Sequence, residues 1–501
     1  MTGSRDVDDW PVDGGMRSRG GPGHRRVKAG RIGVAALVVA VAFASGAVLV
    51  SAGTARSWFP NRWDPRIAPI AAEVARLRGL DFEHPVPIRY LMPQAFEKQL
   101  GADQPDVSDR ADAQRQEGVF RALGFIGGRV DLLQSEEASQ SSGTLAFYDV
   151  DAKRIFVRGT TLDVEHRVTI AHELTHVLQD QHFNLLKLQK RAVASDSGDA
   201  ASFKALVEGD AVRIQEAYLA HLSQADRAEY DREDKAEGER IGKETASVPE
   251  IVDVLTSAPY SLGPLSVRVI FDTGGNAAVN KALTGAVPSS AVFVDAGDVT
   301  PATPVADPAP PPGGVRLGRP EAFGPFELYL TLSARIDPER ALEAADAVDG
   351  GRATTFRSNG TICYKASVDP RSQPAKEFVR QAVRAWARGR SRTTVDDSGD
   401  LVSFTACDPG RAAPNPSSRG MQRAIQLLGL RTGITLAAAQ DGRDAEFARC
   451  VGRVFLETPG AATLALRVGN AQPTAAQETQ LRSAAARSGE ACRDDSDSGL
   501  R

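Results

Sequence analysis

The sequence predicts an α+β protein tethered by one N-terminal transmembrane helix. Three features carry this: an uncharged run near the start, several segments with apolar residues at helical spacing, and short strand-like runs, two of which read as a hairpin. The chain has 501 residues, enough for two or three domains with ample core. With 42% hydrophobic and 25% charged residues it is not a mostly disordered chain. Its formal net charge of −4, from 60 basic and 64 acidic residues, offers nucleic acid no bulk electrostatic hold, so no nucleic-acid partner is expected.

Residues 1–30 are rich in Gly, Asp and Arg, lack a hydrophobic period, and are expected to be a disordered cytoplasmic tail. From Ile32 to Gly53 there are 22 uncharged residues. At helical rise these span roughly 33 Å, enough for a bilayer core, so 31–53 is read as a signal-anchor. Arg17, Arg19, Arg25, Arg26, Lys28 and Arg31 precede it with no acid among them, which puts the N-terminus in the cytoplasm and the bulk of the chain outside. A cleaved signal peptide is the rival, with Val50-Ser51-Ala52 as a small-residue cleavage site, but the apolar run is longer than such peptides carry.

Beyond the anchor, 66–79 shows helical spacing at Ile67, Ile70, Val74 and Leu77, 86–91 reads as a strand, and 108–135 as mostly helical. Residues 144–149 and 154–158, around a turn at Asp151, read as a hairpin. Asp163 can cap a helix running from Val164 to about Phe183, and 200–222 reads as another helix. Six prolines within 301–312 mark an extended linker, 301–315, or a long loop, between a first domain at 66–300 and a C-terminal α+β domain at 316–501.

The informative segment is Ala171-His172-Glu173-Leu174-Thr175-His176-Val177. His172 and His176 are i and i+4 on a helix, so both imidazoles leave one face and can reach a single Zn²⁺. Glu173 sits about 100° round the helix, where it can lean over an open metal position, take a proton from water there and pass it to a leaving amine. With 7 His in the chain, His-Glu-x-x-His is expected by chance about 0.006 times.

Two residues compete for third ligand. His182 lies ten residues after His172, the spacing of a longer three-histidine motif, but that motif needs a Gly where this chain has Gln179, and a nearby downstream Met. Glu208, in Ala205-Leu206-Val207-Glu208-Gly209-Asp210-Ala211, lies on the next long helix, where small Gly209 and Ala211 would let it approach the His-bearing helix. Two histidines and a glutamate form a recognised catalytic zinc set, so Glu208 is the expected ligand. Asp180, four residues after His176, is either a carboxylate behind that histidine or an ordinary helix-surface acid.

His172, Glu173 and His176 followed by Glu208 in an E-G-x-A setting resemble the gluzincin class of zinc metallopeptidases, and the runs HELTHVLQDQHF and ALVEGDA resemble exported bacterial proteins of that class. Ala258-Pro259-Tyr260, Gly263, Gly274-Gly275, Asn280 and Pro288-Ser289 resemble a later segment of the same proteins, although Ala291-Val-Phe-Val294 is less polar than the resemblance leads one to expect. The resemblance implies a zincin-like domain with a mixed sheet and active-site helices. It also implies an edge strand, 144–149 or 154–158, that binds an extended peptide, and a Tyr or His that steadies the oxyanion, for which Tyr260 is the candidate.

The expectation is a membrane-anchored, extracytoplasmic zinc metallopeptidase acting on a peptide or protein substrate, with His172, His176 and Glu208 on the metal and Glu173 and Tyr260 catalytic. The alternative is a catalytically inactive zincin-fold scaffold or binding protein of the envelope; Glu173 argues against it, because a scaffold needs no base. An exported chain has access to oxidants, and four cysteines allow three pairings. Cys363 and Cys407 lie in two strand-like runs that could pair side by side; Cys450 lies on a helical pattern and Cys492 in a polar tail. Cys363–Cys407 and Cys450–Cys492 are therefore the expected disulfides.

Overall fold

In the computed structural model, residues 59–100, 107–135, 144–195, 198–396, 398–416, 418–469 and 473–498 are described. The tail and anchor expected at 1–53 lie outside them, and among the described residues no helix is long and apolar enough to cross a membrane. The class is α+β.

A small sheet comes first. Strands β1 (Ile88–Leu91), β2 (Ala146–Asp149) and β3 (Arg154–Arg158) lie in the order β1-β3-β2. The hairpin read from sequence is β2–β3, and β1 joins it parallel to β3. Against this sheet packs the helix Val164–Phe183. Asp163 caps it as expected, accepting from the His166 amide at 3.0 Å. It stops at Asn184, whose positive φ of 59° the short amide side chain tolerates, and whose Oδ1 starts the next helix, Leu185–Val193, from the Lys187 amide. The helix is buried without a break from Val168 to Asp180, polar residues included, so those polar groups must find partners inside the protein.

The helix Ala200–His221 crosses it, capped by Asp199 through the Ser202 amide at 2.8 Å. A Cβ on Gly209 would lie 2.5 Å from the Gly263 carbonyl oxygen. The close approach at Gly209 is thus made to the helix Gly263–Thr284, not to the histidine helix as the sequence reading had it. Gly263 and Gly209 face each other backbone to backbone, a contact that sequence spacing within one helix does not reveal.

Asp210 is buried between Arg78 at 2.7 Å and Arg213 at 2.8 Å, and these arginines in turn reach Asn280 and Asn276. Three helices far apart in sequence are joined by this cluster. Asp210→Ala would leave two buried guanidinium groups without their carboxylate, and should cost about 3–5 kcal/mol of stability, read as a fall in the denaturation midpoint. The segment around Tyr260 acts in the same packing. Pro259 lies inside the helix Glu250–Ser261, Gly275 breaks the helical geometry of Gly263–Thr284 with φ 63°, and the Pro288 carbonyl accepts from the Asp199 amide. Ala291–Val294, which looked too apolar for its place, forms a short buried helix.

The second sheet is antiparallel: β4 (Val315–Arg316), β6 (Val348–Ser358), β7 (Thr361–Pro370), β9 (Val402–Cys407) and β8 (Thr393–Asp396) in that order, with β5 (Glu321–Ala322) also on β6. Helix Gln373–Ala387 seats the fully buried Trp386 against Phe404. Helix Val107–Leu123 reaches over to the same sheet, where a Cβ on Gly118 would lie 2.9 Å from Ile362 and Arg121 pairs with Asp408 at 2.8 Å. This helix ends at Leu123, and a further helical turn at 132–135 closes the stretch read as mostly helical.

One buried apolar cluster runs from Ile67 to Leu428, on both sides of the proline-rich segment. That segment has no helix or strand in 301–311 and is fastened by Arg352 to Asp307 and by Lys365 to the Ala309 carbonyl. Both expected disulfides are present. Cys363 and Cys407 sit directly opposite on β7 and β9, and Cys450 joins Cys492. Cys492 lies not in an irregular tail but on the helix Ala475–Ser498, whose Leu481, Ala484, Ala485, Ser488 and Cys492 form a buried stripe at helical spacing.

Candidate metal centre

His172 and His176 leave one face of their helix with ring centroids 4.7 Å apart. Glu208 arrives from Ala200–His221, and one ligand atom from each of the three lies within 4.8 Å of the others. Glu208 Oε2 is 3.3 Å from His172 Nε2 and 3.4 Å from His176 Nε2. Two ligands of one tetrahedral ion with bonds of about 2.0–2.1 Å stand about 3.3 Å apart, so these separations are the edges of such a tetrahedron. None of the three, nor Glu173, exposes more than 1% of its surface.

The ring tautomers agree with this. His172 Nδ1 meets Gln215 Oε1 at 3.0 Å, and His176 Nδ1 meets Gln179 Oε1 at 2.9 Å. Gln179 Nε2 donates to the Val207 carbonyl and to Asp210, which orients its amide with the oxygen toward the ring. Nδ1 therefore carries hydrogen, and Nε2 is the ring nitrogen that faces Glu208 in each case. His176 Nε2 is buried with no hydrogen-bond partner among the described residues. A buried, orphaned ring nitrogen facing a carboxylate already shared with a second imidazole is a place shaped for a cation, and the residues fit one.

The four buried groups shift one another's titration. Burial pushes the Glu208 carboxyl up, but His176 and His172 override it and hold it down to about 2. Burial pushes His176 down, yet the Glu208 and Glu173 carboxylates raise it to about 9, while for His172 burial prevails and lowers it. Burial raises Glu173 to about 8 against the pull of His176.

Glu173 Oε2 accepts the Tyr148 amide of β2 at 2.7 Å, while its Oε1 is buried without a partner among the described residues. Of the two strands considered for peptide binding, β3 is central and paired on both sides; β2 is at the edge. Asp180 does not support His176. It accepts from the Tyr148 hydroxyl at 2.7 Å and pairs with Lys153 at 2.6 Å, because one residue beyond Gln179 the helix face has turned from Glu208 to the sheet. His182 is on the last turn, at 2.7 Å from the Asp81 carbonyl and outside the group.

Tyr260 comes to the site, but its hydroxyl donates to Glu208 Oε1 at 3.2 Å, behind the oxygen that faces the histidines. The Lys204 ammonium lies 5.0 Å over its ring. Tyr260→Phe should lower zinc affinity about tenfold with the fold intact, by chelator competition, since an outer partner of a ligand typically commands 10–100-fold. Gln179, Gln215 and Asp210 were missed from sequence. The available signals were Gln179 three residues after His176 and Gln215 two turns after Glu208 on the same face.

Comparison of the chain with protein-family models, curated proteins and solved structures returns no match.

Proposed function

We propose that this protein is a zinc-dependent peptidase, tethered to the outer face of a membrane by the uncharged segment near its N-terminus. The observation that carries the reading is the convergence of His172, His176 and Glu208, with Glu208 Oε2 at 3.3 and 3.4 Å from the two Nε2 atoms, beside a glutamate with one oxygen unpartnered among the described residues. Two imidazoles and a carboxylate suit zinc. A small mixed sheet packed on the histidine helix, with the third ligand on the next long helix, supports describing the domain as zincin-like.

Bound there, zinc would supply a Lewis acid that polarises a carbonyl and acidifies water. The chain's own residues do the rest. His172, His176 and Glu208 hold the ion. Gln179 and Gln215 keep both ring lone pairs turned toward it. Tyr148 pins Glu173 Oε2 through its amide, which leaves Oε1 to take a proton from the attacking water and deliver it to the departing amine nitrogen. β2, at the sheet edge, is the strand along which an extended peptide would lie.

Complete burial of all four residues favours a second reading, a scaffold whose metal serves structure. Turnover separates the two. The zinc-loaded full chain should cleave a quenched peptide library, lose that activity to a chelator and regain it on zinc addition. Stoichiometric zinc without cleavage of any peptide would favour the scaffold.

A further inference from the structure

We infer that Gln179 is a positioning residue that couples the two ligand-bearing helices, so that metal affinity depends on its side chain as well as on the ligands; this rests on the metal-site reading above. Gln179 is fully buried and uses its whole amide. Oε1 takes the His176 Nδ1 hydrogen at 2.9 Å, and Nε2 donates at 3.0 Å both to the Val207 carbonyl and to Asp210 Oδ2. Val207 is the residue before Glu208 and Asp210 the second after it. One side chain therefore grips the facing helix on either side of the third ligand while it sets the rotation and tautomer of the second.

The grip is anchored. Asp210 cannot swing away, because Arg78 and Arg213 hold its carboxylate from two other directions. A reciprocal bond runs the other way, from Gln215 on the Glu208 helix to His172 on the motif helix. Both brackets are neutral amides, so they fix geometry without adding charge. The helix runs on past Gln179 to Phe183 and carries His182 out to the Asp81 carbonyl, which leaves Gln179 facing the helix that bears Glu208.

The test uses the full chain with all three ligands intact. Zinc affinity is measured by competition with a chromogenic chelator, and the Nδ1–H signals of the ligand histidines are followed by NMR in the zinc-loaded protein. Gln179→Met should weaken zinc binding at least about tenfold, the lower end of what outer partners of metal ligands command. It should also expose the His176 Nδ1–H to fast exchange, with that of His172 unchanged. Gln179→Glu keeps an acceptor for His176 but cannot donate to both Val207 and Asp210, and it too should bind zinc more weakly; this variant decides the matter if the Met variant does not fold. A folded Gln179→Met or Gln179→Glu protein with wild-type zinc affinity would overturn the inference and leave the metal site standing. A wild-type protein that binds no zinc would overturn both.

Discussion

Glu173→Gln should keep its zinc and lose at least about 10²-fold in peptide turnover, the usual scale for removing a general base. The substitution is nearly isosteric, and the structure says how the amide will sit. Its oxygen can replace Oε2 at the Tyr148 amide, which puts the NH₂ where Oε1 has no partner. That position would then hold a donor, unable to accept the proton of an attacking water. The check is kcat/KM on quenched peptides at matched zinc content. A Glu173→Gln protein as active as wild type on a substrate the wild type cleaves would remove Glu173 from the chemistry.

The second large effect is on the metal. Glu208→Ala should weaken zinc binding by more than about 100-fold, beyond the range that outer residues command, because it deletes the oxygen on which both Nε2 atoms converge. His182→Ala should leave affinity unchanged, since His182 is exposed and engaged with the Asp81 carbonyl. Chelator competition on both variants decides between them, and the reverse pattern would mean that the third ligand was misassigned.

The parts of this site that were legible in sequence are those fixed by local geometry. His172, Glu173 and His176 are set by one helical turn, and Asp163 announces where that helix begins. Glu208 is 32 residues from His176 and was reached only through its chemistry and its small neighbours. Even so, the reason given for those neighbours was misplaced, since Gly209 serves the contact with Gly263. Gln179, Gln215 and Asp210 were invisible because their roles exist only across packed helices. Asp180 was misread because i+4 spacing places a residue on the same general face of a helix without saying which neighbour stands opposite; here the neighbour is Tyr148.

The fold shows the same division. The hairpin, the two long site helices and the strand pair carrying Cys363 and Cys407 follow from alternation and periodicity. Helix Gln224–Glu244 does not, because it buries only Tyr230 and Ile241 and has almost no apolar stripe to detect. Helix Ala475–Ser498 hides its stripe among alanines and a serine. Proline content suggests an extended linker or a long loop at 301–312, where 301–311 has no helix or strand, but composition cannot reveal that the buried cluster continues on both sides of it.

Two histidines and a glutamate from two helices are proposed to form a metal centre. The most direct measurement is the zinc content of the full chain, purified, incubated with excess zinc and freed of loosely held metal, beside His172→Ala and His176→Ala. About one zinc per wild-type chain, and little in either variant, is the expected result. A folded wild-type chain that retains no zinc, or variants that retain as much as wild type, would contradict it.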